Sequence, residues 1–202
     1  KGKKVGVGVD RIDYTKGLLE RFKAIERALE KYPEYQGKLV FIELAAPSRS
    51  LIESYQKHLA EVEELVRGIN AKFGSGNYQP ILFIKEHHSK ESIQSFYRLA
   101  DFCFVSSLHD GMNLVAKEFA VARNDEDGVL ILSRFTGASH ELQSAIQINP
   151  YHIEKTADAI HQSLTMVPEE RKERMRRMRT VVQEHNVYRW AAELVTELTK
   201  SF

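Results

Sequence analysis

Cysteine is nearly absent from this sequence: Cys103 is the only one among 202 residues. A single cysteine excludes an intramolecular disulfide framework and a zinc site built from several thiolates, and it is typical of a reducing compartment. Long apolar runs are missing as well, so we expect no membrane-spanning helix and no membrane partner. These absences together predict a cytoplasmic protein.

Charge of one sign is not in excess either, because 29 basic side chains face 28 acidic ones and the formal net charge is +1. A near-neutral chain has no global field that would recruit nucleic acid. The basic run of residues 171–179 follows Glu169 and Glu170 and contains Glu173, so we interpret it as a solvated helix face. Glycine and proline, at 11 and 5 residues, are too few for a fibrous or disordered chain.

What the sequence does have is a regular alternation of two apolar patterns. Short, nearly continuous apolar runs predict strands that are covered on both faces. Between them, apolar residues at steps of three and four predict amphipathic helices. This alternation indicates a Rossmann-like, doubly wound α/β domain with a parallel sheet of about six strands. The predicted strands are 5–9, 39–44, 81–84, 102–105, 129–132 and 145–148, and the predicted helices are 18–32, 52–73, 89–99, 112–123, 153–167, 169–184 and 187–198.

The predicted strands all lie within residues 1–167, which we expect to form one domain, whereas residues 168–202 are expected to be helical only. Two arrangements of these last helices stay open: they close the core of this domain, or they cross onto a neighbouring domain. The chain starts at Lys1 and its first apolar run begins at residue 5, so we expect it to be a domain cut from a longer polypeptide; simple N-terminal processing or disorder is the alternative.

Two cations follow the first predicted strand. Arg11 and Lys16 lie five residues apart on a strand-to-helix turn, and ligands of such sheets gather beyond the carboxyl ends of the strands. With the positive end of the next helix, these side chains can close on an anion such as a diphosphate. The alternative is that both are solvated or internally paired, because the glycines nearby complete neither a dinucleotide fingerprint nor a P-loop.

The loop after the fourth predicted strand carries a second group of candidates. Asp110 can cap the following helix, and Gly111 lets a ligand approach the backbone closely. An ordinary N-cap explains Asp110 without any ligand. It explains Asn113 and Glu118 poorly, because Glu118 lies in an otherwise apolar helical stretch and so needs a partner such as adjacent ribose hydroxyls. The first free N–H groups of the predicted helix, which point above the sheet, belong to Met112, Asn113 and Leu114.

Both loops resemble the signature of the trehalose-6-phosphate synthase family, in the segments RIDYTKG (11–17) and DGMNLVAKE (110–118). The members of this family are retaining glycosyltransferases with the two-domain GT-B fold. The resemblance covers essentially the whole chain and implies that it is the C-terminal, donor-binding half. The family's N-terminal half, with the acceptor pocket and a catalytic histidine, has no counterpart here.

The resemblance also implies roles for individual residues. Arg11 and Lys16 match the pair that binds the diphosphate of UDP-glucose, and Asp110 matches the carboxylate that accepts hydrogen bonds from the sugar; these three are the catalytic candidates. Glu118 matches the acid that binds the ribose, and Arg49 matches a residue near the phosphate of the acceptor. The other donor-binding candidates are His88, Gly111, Met112, Asn113, Leu114 and Val115.

The reaction implied by the resemblance moves glucose from UDP-glucose to glucose 6-phosphate with retention, giving trehalose 6-phosphate. We expect no metal and no cofactor, and we expect this chain to be inactive without the N-terminal domain of the same enzyme. Two alternatives stay open. One is a relative that uses ADP-glucose or another acceptor, such as a glucosylglycerol-phosphate synthase, and the other is a non-catalytic module that binds nucleotide sugars.

One pair of acids invites a metal site. Asp125 and Asp127 have the spacing of the metal-binding motif of another glycosyltransferase fold. They lie in a predicted helix-to-strand turn, which places them at the opposite end of the sheet from the candidate loops. We therefore interpret them as a solvated turn.

Overall fold

The computed structural model describes residues 2–48, 51–185 and 187–200, and these form one sheet of six parallel strands. The strands are β1 (Lys4–Arg11), β2 (Leu39–Ala46), β3 (Ile81–Ile84), β4 (Phe102–Val105), β5 (Val129–Ser133) and β6 (Ile146–Ile148). Their spatial order is β3-β2-β1-β4-β5-β6, so the chain starts in the middle of the sheet and extends it first on one side and then on the other. This is the predicted doubly wound arrangement.

The described residues also form eight α-helices, and none of them is both long and apolar enough to cross a membrane. Every predicted helix is present with ends within two residues of the prediction; the unpredicted one is a single turn, too short to show a period. The helices are α1 (Leu18–Lys31), α2 (Glu53–Phe73), α3 (Lys90–Leu99), α4 (Leu114–Ala122), α5 (Ala138–Glu141), α6 (Ile153–Thr165), α7 (Pro168–Glu184) and α8 (Val187–Lys200).

Each face of the sheet has its own hydrophobic core. Successive side chains of a strand point to opposite faces, so Phe102 and Phe104 of β4 join one core and Cys103 joins the other. The first core is closed by α1, α2 and α6, and the second by α3, α4 and α7. Cys103 is completely buried there. Because both faces are covered, the strands read as nearly continuous apolar runs.

The last two helices have different surroundings. Met175 and Met178 of α7 are buried in the second core, and Arg171 of α7 pairs with Asp127, whose Oδ1 lies 2.6 Å from the Arg171 Nε. α7 thus packs on this domain. On α8, by contrast, the large apolar side chains of Leu194, Val195 and Leu198 are exposed. The domain limit at residue 167 and the partner of α8 stay predictions.

The two halves of the sheet meet at β1 and β4, where the pairing is short. β1 pairs with β2 along all eight of its residues, but in the described residues it pairs with β4 only at Gly6 and Val7. A gap therefore opens between β1 and β4 toward their carboxyl ends. The strand order reverses at this gap, which is where open α/β sheets bind their ligands.

Candidate functional site

The loops after β1 and β4 interlock above this gap. The backbone N–H of Leu108 donates to the carbonyl of Thr15 at 2.7 Å, which joins the two loops directly. Gly17 has a φ of 64°, and a Cβ at this position would overlap the carbonyl oxygen of Ser106. Only glycine fits such a left-handed residue at so close an approach. The two loops share one edge of the sheet, as predicted.

A 3₁₀ turn, Tyr14–Lys16, places the side chain of Lys16 over the loop that follows β4. Asp13 caps the turn, because its Oδ1 accepts hydrogen bonds from the Thr15 N–H at 3.0 Å and from the Thr15 hydroxyl at 2.8 Å. Gly17 ends the turn and leads directly into α1. The position of Lys16 is thus set by hydrogen bonds on both of its sides; we call residues 13–17 the β1 turn.

Lys16 forms an ion pair with Asp110, whose Oδ2 lies 2.6 Å from the Lys16 Nζ, with both side chains about 15% exposed. Asn113 and the backbone N–H of Met112 also donate to this carboxylate. Burial disfavours ionisation of Asp110, but the hydrogen bond and charge of Lys16 outweigh it and hold its pKa below the usual value. Asp110 is therefore ionised at neutral pH and ready to accept further hydrogen bonds.

The N-cap of α4 is Asn113 and not Asp110, so the expectation that an ordinary N-cap explains Asn113 poorly is wrong. The Oδ1 of Asn113 accepts a hydrogen bond from the Ala116 N–H at 3.0 Å, and its backbone is left-handed, with a φ of 74°. The expectation that Asp110 caps this helix is wrong, because Asp110 lies three residues too early and its side chain is held by Lys16. The helix begins at Leu114, so its first free N–H groups start there and not at Met112.

Arg11 is the last residue of β1 and is exposed. Its guanidinium forms no hydrogen bond or ion pair with any described residue. It lies at the same edge of the sheet as Lys16, five residues earlier in the chain. Of the two cations singled out in the sequence, one is internally paired and the other faces solvent.

Glu118 lies on the outer side of α4, which differs from the expectation of a carboxylate enclosed by apolar neighbours. Ala116, Phe119 and Ala120 point into the core, whereas Glu118 is exposed. The helical period separates the two sides, although all of these residues are adjacent in sequence. Glu118 lines a cavity of about 550 Å³ between α3 and α4, together with Leu114, Lys117 and Val121.

Tyr97 of α3 also lines this cavity, although nothing in the sequence singled it out. Its side chain is 1% exposed, and its hydroxyl lies near the carboxyl group of Glu118. Burial, and then the proximity of Cys103 and Glu118, raise the pKa of Tyr97. The sequence contains little signal for this residue. Tyr97 is simply one more aromatic side chain on the apolar side of a predicted amphipathic helix.

The remaining candidates are placed less closely. Gly111 and Met112 are exposed, and a Cβ on Gly111 would meet no atom within 4 Å, so open space lies over this backbone. His88 lies in the loop between β3 and α3, with its ring edge against Phe96 and no contact with another candidate among the described residues. Arg49 lies outside the described residues.

A buried ion cluster lies beneath the β1 turn, and sequence reasoning missed it. Arg21 of α1 donates from Nη2 to Asp10 Oδ2 at 2.6 Å, from Nη1 to Glu43 Oε2 at 2.5 Å, and from Nε to Ser106 Oγ at 2.9 Å. All four side chains are buried. A Cβ on Gly8 would overlap Glu43 and Arg21, so the glycine of β1 makes room for the cluster.

The two carboxyl groups of the cluster titrate unusually. Burial raises the pKa of Asp10 in spite of the neighbouring guanidinium of Arg21, and it raises the pKa of Glu43 to about 7. One guanidinium does not balance two buried carboxylates. The pair therefore binds protons more tightly than free carboxyl groups do.

The acids of the suspected metal motif are paired with arginines. Asp125 binds Arg123 at 2.9 Å, and Asp127 binds Arg171 at 2.6 Å. The turn that carries them precedes β5 and thus lies at the amino ends of the strands. These contacts make the turn a structural element, more than the solvated loop that the sequence suggested.

Comparison with known proteins gives a consistent result. Residues 1–200 match glycosyltransferase family 20. The alpha,alpha-trehalose-phosphate synthase (UDP-forming) A of Dictyostelium discoideum is 46% identical over 200 residues, which are 99% of this chain and 27% of that protein. The UDP-forming enzyme of Yarrowia lipolytica is 42% identical over 200 residues, or 43% of its length. The chain thus spans less than half of either relative.

Solved structures agree with the sequence relatives. A trehalose-phosphate synthase (UDP-forming) from Burkholderia xenovorans, in complex with glucose-6-phosphate, superimposes with a TM-score of 0.95 at 38% identity. It matches 98% of this chain and 44% of its own. A second structure, from E. coli and bound with UDP-2-fluoro glucose, gives a TM-score of 0.94 at 36% identity, again over 98% of this chain and 44% of its own.

Proposed function

Since this chain belongs to glycosyltransferase family 20, we propose that it is the donor-binding half of a retaining enzyme that moves glucose from UDP-glucose to glucose 6-phosphate. The product is trehalose 6-phosphate. The relatives described as UDP-forming support the donor, and the related structure with glucose-6-phosphate supports the acceptor. The observation that carries the proposal is the Lys16–Asp110 pair at the gap between β1 and β4.

In this proposal the diphosphate lies above the gap, between Arg11 and Lys16. The Lys16 ammonium has three hydrogens and gives one to Asp110, so two are left for phosphate oxygens. Arg11 is exposed at the end of β1 and adds a second cation. The positive end of α4 adds partial charge from its first N–H groups.

These groups stabilise the charge that develops on the leaving UDP as the glycosidic bond breaks. Lys16 and the helix N–H groups act well here because they are already oriented before the reaction. Asp110, ionised and hydrogen-bonded, accepts hydrogen bonds from the hydroxyls of glucose. Glu118, on the cavity between α3 and α4, accepts those of the ribose. The proposal includes no metal and no cofactor.

The acceptor side belongs to another part of the enzyme. Transfer requires the donor and acceptor in near-attack geometry, and this chain offers candidates mainly for the donor. We therefore propose that the N-terminal domain of the same enzyme supplies the acceptor pocket, with Arg49 near the acceptor's phosphate. The chain alone is expected to bind UDP without turning over substrate. A cytoplasmic location is part of the proposal, and the single cysteine supports it.

The test separates the phosphate from the ribose by calorimetry with UDP and with uridine. A charge-assisted hydrogen bond contributes roughly 1.5–3 kcal/mol, which is more than tenfold in affinity. Arg11→Ala should therefore strongly lower the affinity for UDP and leave the affinity for uridine unchanged. Lys38→Ala, which removes an exposed cation at the other end of the sheet, is the matched control and should change neither.

Glu118→Ala should lower the affinities for UDP and for uridine by similar factors, since both ligands carry the ribose. Glu64→Ala, an exposed acid of α2, is its control. Equal losses for UDP and uridine in Arg11→Ala would remove the diphosphate assignment. Tighter binding of ADP than of UDP would favour a donor other than UDP-glucose, and production of trehalose 6-phosphate by the chain alone would contradict the division into two halves.

A further inference from the structure

Ser106 connects the buried ion cluster to the β1 turn. It is completely buried after the end of β4, and its Oγ accepts the hydrogen bond from Arg21 Nε. The same hydroxyl donates toward the carbonyls of Lys16, at 3.0 Å, and Gly17, at 2.9 Å. A hydroxyl has one hydrogen and two lone pairs, so it can accept from the guanidinium and still bind the turn.

The orientation of Arg21 is fixed by more than Ser106. Asp10 and Glu43 hold its two terminal nitrogens, and the ring of Phe104 lies 5.5 Å from the centre of the guanidinium. A guanidinium is planar, with its N–H groups in a rigid fork, so holding two nitrogens also sets the direction of the third. The Nε–H is thereby aimed at Ser106.

The cluster also fills the gap in the sheet. It joins β1 through Asp10, β2 through Glu43 and the end of β4 through Ser106, where β1 and β4 have no backbone pairing among the described residues. Its two carboxyl groups against one guanidinium give it no excess positive charge. Its contribution to anion binding is therefore one of position, whereas the charge comes from Arg11 and Lys16.

We propose that Arg21 and Ser106 are positioning residues for the diphosphate: the buried cluster fixes the carbonyls of Lys16 and Gly17, and so holds the Lys16 ammonium where it meets both Asp110 and a phosphate. This inference rests on the proposed function for its ligand. The hydrogen bond of Lys16 to Asp110 is short and directional, and a displacement of about 1 Å in such a site has large effects on binding and rate.

The experiment compares Ser106→Ala with Ser163→Ala in the whole 202-residue chain. Ser163 is a buried serine of α6 whose hydroxyl also donates to a backbone carbonyl, that of Ile160, but it lies near the amino end of β1. Two measurements are made: amide hydrogen exchange across the chain, and calorimetry with UDP and with uridine. Hydrogen exchange reports how firmly the β1 turn is held, and it needs no ligand.

We expect Ser106→Ala to speed exchange at the amides of Lys16, Gly17 and Leu108, whose hydrogen bonds hold the β1 turn together. We also expect the variant to bind UDP with roughly tenfold lower affinity and uridine with unchanged affinity, because only UDP carries the phosphates that Lys16 binds. Ser163→Ala should leave both readouts of the turn unchanged. If Ser106→Ala does not fold, Ser106→Cys keeps the size of the side chain with a weaker donor and is read in the same way.

Wild-type affinity for UDP in Ser106→Ala overturns the inference. So does an equal loss for UDP and uridine, because that pattern indicates a purely structural residue. If the wild-type chain itself binds no UDP, the proposed function fails, and hydrogen exchange alone decides whether Ser106 positions the turn. Unchanged exchange at Lys16, Gly17 and Leu108 overturns the inference in every case.

Discussion

Two groups of ionisable side chains are anchored on α1, one on its buried side and one on its exposed side, and they differ in their surroundings rather than in their distances. On the inner side, Arg21 meets Asp10 at 2.6 Å with both side chains almost fully buried. On the outer side, Arg27 and Lys31 meet Glu154 at 2.6 and 2.7 Å, with all three side chains 31–42% exposed. The distance between the charged atoms of an ion pair therefore does not indicate how much the pair contributes to the free energy of unfolding.

The difference is one of solvent. A buried pair has already lost its water, so removing one partner leaves an uncompensated charge that costs about 3–5 kcal/mol. An exposed pair is screened by water and salt, and breaking it costs little because water replaces the lost partner. Perturbations of the inner group should therefore have large effects on the free energy of unfolding, and perturbations of the outer group small ones.

The largest effect is expected from Gly8→Ala. The added Cβ would overlap the Glu43 carboxyl and the Arg21 guanidinium, which are enclosed by the sheet and α1. We expect a loss of about 3 kcal/mol or more in the free energy of unfolding, measured by urea denaturation. Gly68→Ala is the control, because Gly68 lies inside α2 with open space around it, and it should stabilise the chain by up to about 1 kcal/mol. Wild-type stability of Gly8→Ala would show that the cluster is loosely packed.

A smaller, pH-dependent effect is expected from Glu43→Gln. Burial raises the pKa of Glu43 from 4.5 to about 7, so the folded chain keeps a proton that the unfolded chain releases. The stability of the wild type should thus fall, relative to the variant, as the pH rises from about 4.5 to 7, by roughly 2–3 kcal/mol in total. Urea denaturation of both chains across this range measures the difference. A difference that does not change with pH would contradict the raised pKa.

The smallest effect is expected from Glu154→Gln on the outer side of α1. Hydrogen bonds from Arg27, and then from Lys31, lower the pKa of Glu154 to about 2, but the group is solvent-exposed. Any contribution is present above the unfolded pKa near 4.5 and disappears as the pH falls through 2. At physiological ionic strength we expect no measurable shift of the urea midpoint. A shift as large as that of Gly8→Ala would remove the contrast between the two groups.

The sheet could be predicted because its strands are covered on both faces. β3 and β4 were located to the residue from continuous apolar runs alone. The start of α4 could not be located in this way, since it depends on the left-handed backbone of Asn113, which no apolar period reveals. α5 has four residues, about one helical turn, so no apolar period can repeat within it.

The site could be predicted in part. Arg11 ends β1, Lys16 and Asp110 lie in the loops after β1 and β4, and the strand ends of a parallel sheet meet at one edge. Arg21 and Ser106 are 85 residues apart, and their contact exists only in the folded chain. A signal was nevertheless present, because Arg21 occupies a core position of α1, between Leu18 and Phe22, and Glu43 occupies one in β2. Charges of opposite sign at core positions of neighbouring elements indicate a buried pair.

The single thiol gives access to the opening of the sheet where β1 and β4 pair, next to the gap. Cys103 is fully buried in β4, and burial raises the pKa of its thiol, so it reacts with an alkylating reagent only after the strand opens. When closing is faster than labelling, the labelling rate reports the free energy of that opening. A ligand that binds across the gap stabilises the closed form. It slows labelling by the ratio of total protein to ligand-free protein. With one cysteine in the whole sequence, the signal comes from the centre of the sheet and from nowhere else in these 202 residues.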